Sequence, residues 1–221
     1  MSETQATTDD VVAPDEDHPA PLARVREGFD LPVDKKYTLV VEPWEVLGCC
    51  SLPGVAFRFG TSFPLPSLAE ALEGVAALVS EQGAEGKLLV FGHSDAAASG
   101  SSQALSERRA EAIVAVICND VAAFQAIDTE ESWEIQVVQT TLLQAGYRPG
   151  VVDNKDGPKT QAAVKAFQED QGLEVDGIAG PDTRKALYTH YLAGLTLGLE
   201  ASAFLDPAAL GCGETHPVVE T

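Results

Sequence analysis

Two charged residues lie at the adjoining ends of a predicted strand and a predicted helix. The apolar segment 87–91 predicts a short β-strand, and the Gly-His-Ser-Asp sequence after it ends at Asp95. Arg109 lies near the beginning of an alanine-rich segment that predicts a helix. A carboxylate facing a guanidinium can hold the ammonium and the carboxylate of one amino acid, because the forked N–H groups of arginine match a carboxylate. Residues of these two types suit recognition of a ligand without bond breaking.

The same residues also allow a purely structural interpretation. Asp95 can end a strand in a turn, and Arg109 can be an exposed helix residue, like its neighbour Arg108. His93 is predicted to pack or to form hydrogen bonds beneath the loop, since no cysteine or histidine stands at metal-ligand spacing from it. The sequence therefore predicts no metal site and no cofactor.

An internal repeat follows further along the chain. Val152 recurs as Val175, and the same offset of 23 residues relates several neighbours. A period this short, used twice, is too brief for a solenoid and favours two similar turn-plus-helix halves of a small bundle. The other matched pairs include Asp153 and Asp176, Gly157 and Gly180, Pro158 and Pro181, Thr160 and Thr183, and Ala163 and Ala186.

Each copy of the repeat predicts a tight loop followed by a helix. An aspartate can accept hydrogen bonds from loop amides, glycines permit the loop conformation, a proline suits the first turn of the helix, and a threonine can satisfy a free amide there. A third helix is predicted upstream, from about 132 to 145. The residues predicted to shape the turns and caps are Asp153, Gly157 and Thr160, and then Asp176, Gly177, Gly180 and Thr183.

The segment 138–187 resembles the type 1 peptidoglycan-binding domain, a three-helix cell-wall binding module. One departure is in the first loop: Asn154 follows the aspartate where the family usually has a glycine, and Asp156 stands where it usually has an apolar residue. We expect this departure to alter the groove beside the loop. The residues that carry the resemblance include Gln139, Leu142, Gly146, Tyr147, Gly157 to Thr160, Ala163, Val164, Phe167, Gln168, Gly172, Leu173 and Val175 to Gly177.

The upstream segments resemble a second peptidoglycan-binding fold, the OmpA-like domain. The resemblance rests on the Gly-His-Ser-Asp strand end, on the Leu-Ser-Glu-Arg-Arg-Ala helix start at 105–110, and on a first strand at 55–61 and a first helix at 68–79. It implies that Asp95 holds the ammonium of diaminopimelate and Arg109 its carboxylate, with Ser94 and Ser106 beside them. The loop between the charged residues is one residue shorter than expected, and alanines at 96–98 replace the usual glycine. Both departures lower the expected affinity.

The second half of the OmpA-like resemblance appears at the far end of the chain, where 211–217 reads Gly-Cys-Gly-Glu-Thr-His-Pro. We expect the three-helix module to be inserted into a surface connection of the OmpA-like domain, since long insertions add little loop-closure entropy. The alternative is two sequential domains. The predicted fold is α+β, with helices on one face of a mixed βαβαβ sheet plus a small all-α domain. The predicted ranges are an acidic arm at 1–35, the first OmpA-like part at 36–120, linkers and module at 121–205 (core 132–192), and a return strand at 206–221, with the family's last helix and strand missing.

Composition restricts the partners. The net charge of −20 argues against nucleic acid and anionic lipid, which reward basic surfaces. No apolar segment is long enough to cross a bilayer, and no signal peptide is visible. Membrane insertion is therefore not expected. The two resemblances imply peptidoglycan as partner and a place in the cell envelope or periplasm. The export route stays open, and a cytoplasmic place is an alternative.

Three function classes follow from the sequence. The first is a non-catalytic protein that binds the diaminopimelate stem peptide of peptidoglycan. The second is a structural or adaptor part of a contractile injection or type VI-like secretion apparatus, which proteins with similar domains accompany. The third is a wall hydrolase using Cys212 and His216, but no oxyanion or orienting partner is recognisable, so no catalytic residue is predicted. If the module is inserted, Cys118 and Cys212 flank it, and an optional disulfide between them is one prediction.

Overall fold

The computed structural model of the protein describes residues 46–52, 56–83, 86–94 and 102–213. The predicted acidic arm at 1–35, Asp95 and the segment 214–221 lie outside the described residues. The described part is mixed α+β, with six α-helices and two strands. In chain order these are α1 (Leu68–Gln82), β1 (Leu88–Gly92), α2 (Ser102–Cys118), α3 (Val121–Glu131), α4 (Ile135–Gln144), α5 (Pro158–Gln171), α6 (Pro181–Ala193) and β2 (Phe204–Gly211).

The two strands pair in parallel although five helices separate them in sequence. The register aligns Leu88 with Phe204 and Gly92 with Gly211, with an irregularity where β2 carries extra residues. A short 3-10 turn at Ala201–Ala203 leads into β2. A parallel pair needs a long crossover connection, and here the crossover contains α2 to α6.

The strand predicted at 55–61 is wrong. The chain reverses there instead: the Arg58 amide donates to the Phe63 carbonyl at 3.0 Å, and Gly60 adopts a left-handed φ of 73°. Phe57 makes one isolated bridge to Pro64. This reversal turns the fully buried Phe63 into the core. The described residues therefore form a two-stranded sheet and lack a third strand of the predicted βαβαβ arrangement.

The ends of both strands lie directly against the first turns of α2. A Cβ atom added at Gly92 would lie 1.8 Å from the Ser106 carbonyl oxygen, and one at Gly211 would lie 2.7 Å from the Glu107 amide nitrogen. Side chains at these two paired positions would push the helix off the sheet. Close packing of helix on strand therefore requires both glycines.

One large core joins α1, α2 and α3 to the inner faces of α4 and α6. At its centre are five aromatic side chains, all with ring centroids 5.0 to 6.3 Å from a neighbour in the cluster. A second, smaller core lies within α4, α5 and α6 and includes Leu142, Phe167 and Leu187. The aromatic cluster consists of Phe63, Phe124, Trp133, Tyr188 and Tyr191.

The helix predicted at 132–145 begins later than expected. Ser132 has a left-handed φ of 56° and ends α3, so α4 starts only at Ile135. The predicted apolar stripe is otherwise present, because Val137, Val138 and Leu142 are buried.

The disulfide suggested for Cys118 and Cys212 is wrong. The Cys212 amide donates to the Gly92 carbonyl, and the next amide, that of Gly213, donates to Ser106 Oγ at 2.9 Å. Cys212 thus lies near the beginning of α2, whereas Cys118 ends it, about 18 Å further along the helix at 1.5 Å per residue. A disulfide requires Cα atoms within about 7 Å. Burial raises the pKa of both thiols.

Candidate functional site

The first repeated loop is held by one buried side chain of the preceding helix. Gln139 Nε2 donates to Asp153 Oδ1, to the Lys155 carbonyl and to Thr160 Oγ1, each at 3.1 Å. Its Oε1 accepts from the amides of Asp153 and Asn154 at 3.0 Å. The glutamine is 1% exposed. It therefore satisfies the polar groups on the inner side of the loop without water.

The second loop repeats this arrangement. Gln168 Nε2 donates to Asp176 Oδ1 at 2.8 Å, and to the Ile178 carbonyl and Thr183 Oγ1 at 3.0 Å. Its Oε1 accepts from the Gly177 amide at 2.9 Å. The aspartate in each loop also accepts from the amide two residues later, at 3.1 Å from Lys155 and 2.8 Å from Ile178. The two loops are thus built on one plan.

The threonines have a different role from the predicted amide capping. Thr160 and Thr183 are buried and accept a hydrogen bond from the clamping glutamine of their loop. Gly157 and Gly180 occupy the N-cap positions, and neither cap has a side-chain hydrogen bond. The threonine in each copy therefore ties the helix start to the loop.

The departure at Asn154 leaves the loop backbone unchanged. Asn154 adopts a left-handed φ of 63°, and the equivalent Gly177 has φ of 81°. Asparagine is among the residues that tolerate this conformation. Its side chain accepts from the Gln136 amide and donates to Glu134 Oε2 at 2.6 Å. The predicted alteration of the groove is therefore not a change of loop conformation but an added link to the beginning of α4.

Hydrogen bonding keeps both loop aspartates ionised. The bond from Gln139, followed by the Lys155 amide, lowers the pKa of Asp153 below its ordinary value. For Asp176 the Ile178 amide is the largest cause, followed by Gln168, and the pKa is again lowered. Each carboxylate is exposed apart from these bonds. The loops consequently present two fixed negative charges on the surface.

A buried ion pair joins α3 to α6. Arg184 Nη1 lies 3.1 Å from Asp128 Oδ2, and the two side chains are 20% and 7% exposed. Tyr188 donates to the same carboxylate oxygen at 2.6 Å, and the Trp133 amide donates to Asp128 Oδ1. Arg184 also donates to the carbonyls of Trp133 and Ala179. These bonds fix the three-helix segment against α3.

The three-helix segment also contacts the rest of the fold elsewhere. Tyr191 donates to the Pro64 carbonyl at 2.7 Å, and Gln125 Nε2 donates to the Pro181 carbonyl at 2.9 Å. A cleft of about 290 Å³ lies beside the second contact, between α3 and the beginning of α6.

The strand-end site predicted from Asp95 and Arg109 is partly described. Arg109 Nε donates to the Thr61 carbonyl at 3.0 Å, and its Cζ lies 5.1 Å from the centroid of the Phe57 ring. The turn before α1 thus orients this guanidinium. The pairing with Asp95 stays a prediction, because Asp95 lies outside the described residues.

Ser106 links the first turns of α2 to the chain after β2. Its hydroxyl is fully buried, donates to the Gln103 carbonyl at 2.8 Å and accepts from the Gly213 amide. Ser94 is also buried, and its amide donates to the Gly213 carbonyl at 3.1 Å. These bonds hold the chain after β2 on α2, and the ligand roles of Ser94 and Ser106 stay predictions. Arg108 is not simply solvated either, since it lies 3.6 Å from Glu130 and from Glu131.

Sequence reasoning did not assign roles to the clamping glutamines or to the ion pair. Gln139 and Gln168 lie 29 residues apart and do not follow the repeat offset of 23. A polar residue within an otherwise apolar helix stripe was the available signal for both. Asp128 and Arg184 are far apart in sequence, and nothing in either local pattern pairs them.

Comparison with known proteins supports the cell-wall interpretation of one segment. Residues 132–187 match a family model described as "Putative peptidoglycan binding domain". This match confirms the resemblance of the three-helix segment to a peptidoglycan-binding domain and indicates an association with the cell wall. It does not extend to the segments that resemble an OmpA-like domain.

Three curated relatives each match about a quarter of the chain. The segment is 36% identical over 55 residues to the N-acetylmuramoyl-L-alanine amidase CwlM of Mycobacterium tuberculosis. This match covers 25% of the chain and 14% of the relative. The segment is also 46% identical over 57 residues to the zinc D-Ala-D-Ala carboxypeptidase of Streptomyces albus G. This match covers 24% of the chain and 22% of the relative. The chain is 34% identical over 59 residues to the "Putative OxPP cycle protein OpcA" of Synechocystis, and this match covers 27% of the chain and 12% of the relative. The chain thus spans less than a quarter of each relative's length.

No solved structure matches the chain. Within the described ranges, no group of three or more histidine, cysteine, aspartate or glutamate side chains could hold a metal ion. None of the helices described is both long enough and apolar enough to cross a bilayer.

Proposed function

We propose that this protein binds peptidoglycan without cleaving it, and that the three-helix segment is its wall-binding module. The observation that carries the proposal is the completeness of both loops in the segment that matches the peptidoglycan-binding family. Each loop retains its buried glutamine, its aspartate and its threonine in a closed hydrogen-bond network. The networks hold both loops of the matched segment in one conformation, as a binding surface requires.

The loop surfaces of this module are also suited to contact a partner. Val151, Val175 and Ile178 are 78%, 50% and 67% exposed, and all three lie in the loops. Exposed apolar side chains beside fixed polar groups are common at binding surfaces. The wall polymer offers both acetyl and methyl groups and charged peptide groups, so a mixed surface fits it.

A finer proposal concerns the flanking fold. The parallel pairing of β1 with β2 across the module supports an OmpA-like domain into which the module is inserted. Arg109, oriented by Thr61 and Phe57, would then bind the carboxylate of diaminopimelate opposite Asp95. The protein would act in the cell envelope and bind the wall through two sites. Binding at the first site raises the effective concentration of the second site near the wall, so the protein stays bound longer.

An adaptor function is the second candidate, favoured by one observation. One relative, which matches a segment of 59 residues of this chain, has a printed name that refers to the OxPP cycle and not to the wall. Such a segment could therefore serve protein contacts, as in the secretion-apparatus alternative, because a fold does not fix a function.

Cosedimentation of the full chain with purified sacculi separates these functions. A wall-binding protein is expected to pellet with sacculi and to stay in solution with cellulose, a matched insoluble glycan without peptide. Chromatography of the supernatant tests cleavage, and no soluble muropeptides are expected. Equal recovery with and without sacculi would refute wall binding and favour the adaptor. Release of muropeptides by the purified protein would refute the non-catalytic part of the proposal.

A further inference from the structure

The cleft of about 290 Å³ between α3 and α6 is formed by two different parts of the chain. Gln125 and Thr129 line it from α3, and Ser132, Ala179 and Pro181 line it from the residues that match the peptidoglycan-binding family. The Gln125 side chain reaches across to the Pro181 carbonyl at one end. The cleft therefore exists only because the module is docked on α3.

The charged groups at this cleft are already paired. All three nitrogens of the Arg184 guanidinium donate hydrogen bonds. Nε donates to the Ala179 carbonyl and Nη2 to the Trp133 carbonyl. Nη1 donates to Asp128 and to the Tyr188 hydroxyl. The Asp128 carboxylate in turn accepts hydrogen bonds from Arg184, from the Tyr188 hydroxyl and from the Trp133 amide. A ligand with a net charge or a zwitterion would find its counter-charges engaged, and displacing a buried ion pair is expensive.

The remaining lining is neutral and mixed in polarity. The amide of Gln125 and the hydroxyls of Thr129 and Ser132 provide hydrogen-bonding groups, and Ala179 and Pro181 provide small apolar surfaces. Ligand pockets for larger molecules occupy about 300–1,000 Å³, so this cleft suits a single ring-sized unit. N-Acetylglucosamine has these properties: it is uncharged, about one ring in size, rich in hydroxyls and provided with one methyl group.

We infer that this cleft binds one N-acetyl sugar residue of the glycan strand. The inference rests on the proposed function and adds to it the part of the polymer that is recognised by the docked module. The site belongs to this chain's own arrangement, since α3 lies outside the residues that match the family.

Two threonines provide a matched pair of variants for the test. Thr129 lines the cleft, whereas Thr189 lies on α6 and does not. Both are exposed, and each hydroxyl donates at 2.9 Å to the carbonyl four residues earlier in its helix. Thr129→Arg places a long charged side chain in the cleft, and Thr189→Arg makes the same chemical change elsewhere. Thr129→Trp and Thr189→Trp repeat the comparison without a charge.

Binding of the full chain is measured by calorimetry with two probes, the uncharged disaccharide of two N-acetylglucosamine units and the free diaminopimelate tripeptide. Each Thr129 variant is expected to lose at least about tenfold in disaccharide affinity, and each Thr189 variant to bind like the wild type. Tripeptide affinity is expected to be unchanged in all four. Thermal unfolding confirms that the exposed substitutions leave the fold intact.

The possible failures are distinguishable. If the wild type pellets with sacculi but the Thr129 variants bind the disaccharide as well as it does, the cleft inference is overturned and the proposed function stands. If the Thr129 variants lose only the tripeptide, the assignment to the sugar is overturned. If the wild type binds neither sacculi nor disaccharide, both the proposed function and the cleft inference fail.

Discussion

Gln139 on α4 and Gln168 on α5 make equivalent hydrogen bonds to the loops that follow their own helices, although their sequence offset differs from that of the loops. Each glutamine is 1% exposed and uses both ends of its amide. The structural repeat of the module is thus more regular than its sequence repeat.

The first prediction concerns these two side chains. Gln139→Ala removes the acceptor of two loop amides and Gln168→Ala that of one, and each variant also removes a donor to a buried threonine hydroxyl. An unsatisfied buried group costs about 1–3 kcal/mol. We expect each variant to lose about 2–4 kcal/mol of unfolding free energy in urea titrations. Gln161→Ala, on an exposed glutamine of α5 that bonds only to Asp156, should change it by less than about 0.5 kcal/mol. Equal losses at all three positions would contradict the role of the clamp.

The second prediction concerns the ion pair between α3 and α6. Breaking a buried pair on one side leaves an uncompensated charge and costs about 3–5 kcal/mol. Asp128→Ala and Arg184→Ala should each destabilise the protein by about that amount, and the double variant should lose much less than the sum. A double-mutant cycle from chemical denaturation measures this coupling. Additive losses would show that the two side chains act independently.

The third prediction is a dependence of stability on pH. The pKa values of Asp153 and Asp176 are lowered in the folded state by hydrogen bonds that their ionised forms accept. Their contribution to the free energy of unfolding is therefore fully present above the ordinary carboxyl pKa of about 4. This contribution is lost as the pH falls through the lowered pKa values of the folded state. Urea unfolding between pH 7 and pH 2 should show this acid loss, and Asp153→Asn with Asp176→Asn should flatten it.

A carboxyl of the opposite kind provides the comparison for that experiment. Burial, followed by Glu107 and Glu130, raises the pKa of Glu111. Ionisation of Glu111 therefore opposes folding as the pH rises above the ordinary carboxyl pKa. Glu111→Gln should consequently leave the loss of stability below pH 4 unchanged. A Glu111 variant that abolished this loss would show that the loop aspartates are not its source.

The fourth prediction concerns the contact between β1 and α2. Gly92→Ala places a methyl group on the Ser106 carbonyl oxygen, a backbone atom that cannot move aside without shifting α2. We expect a loss of at least about 3 kcal/mol in thermal or chemical unfolding. Gly194→Ala is the matched control, because its φ is −83° and the nearest atom would be at 3.6 Å. A Gly92 variant as stable as this control would show that α2 does not lie against the strand.

The fifth prediction tests the finer wall-binding proposal. Arg109→Lys keeps the charge but removes the forked donor geometry and the contact over the Phe57 ring. We expect at least about a tenfold loss of affinity for the diaminopimelate tripeptide, measured by calorimetry. Arg148→Lys, at an exposed position of the module, should leave that affinity unchanged. Unchanged tripeptide binding by the Arg109 variant would remove this residue from the ligand site.

The elements with regular local patterns could be predicted from the sequence. Hydrophobic periodicity and residues that favour a helix start predict four of these elements: α1, β1, and the two helices that begin at a proline, α5 and α6. The left-handed conformation of Asn154 was missed because an asparagine gives a weaker local signal than a glycine.

The features that depend on distant contacts could not be predicted in the same way. The segment at 55–61 has the alternation of a strand, but burial of Phe63 and the turn at Gly60 decide its conformation. Ser106 resembles a ligand residue in its motif, yet its partner Gly213 comes from the other end of the chain. Tertiary contacts of this kind override local preference.

The two connections of the module have a mechanical consequence. Because α3 leads into it and β2 returns from it to pair with β1, the module is fastened to the body at both of its ends. A force pulling on the loops would be carried through the aromatic cluster and along the strand pair at once, instead of swinging the module on a flexible tether. Detachment under load would then require unfolding of the body itself.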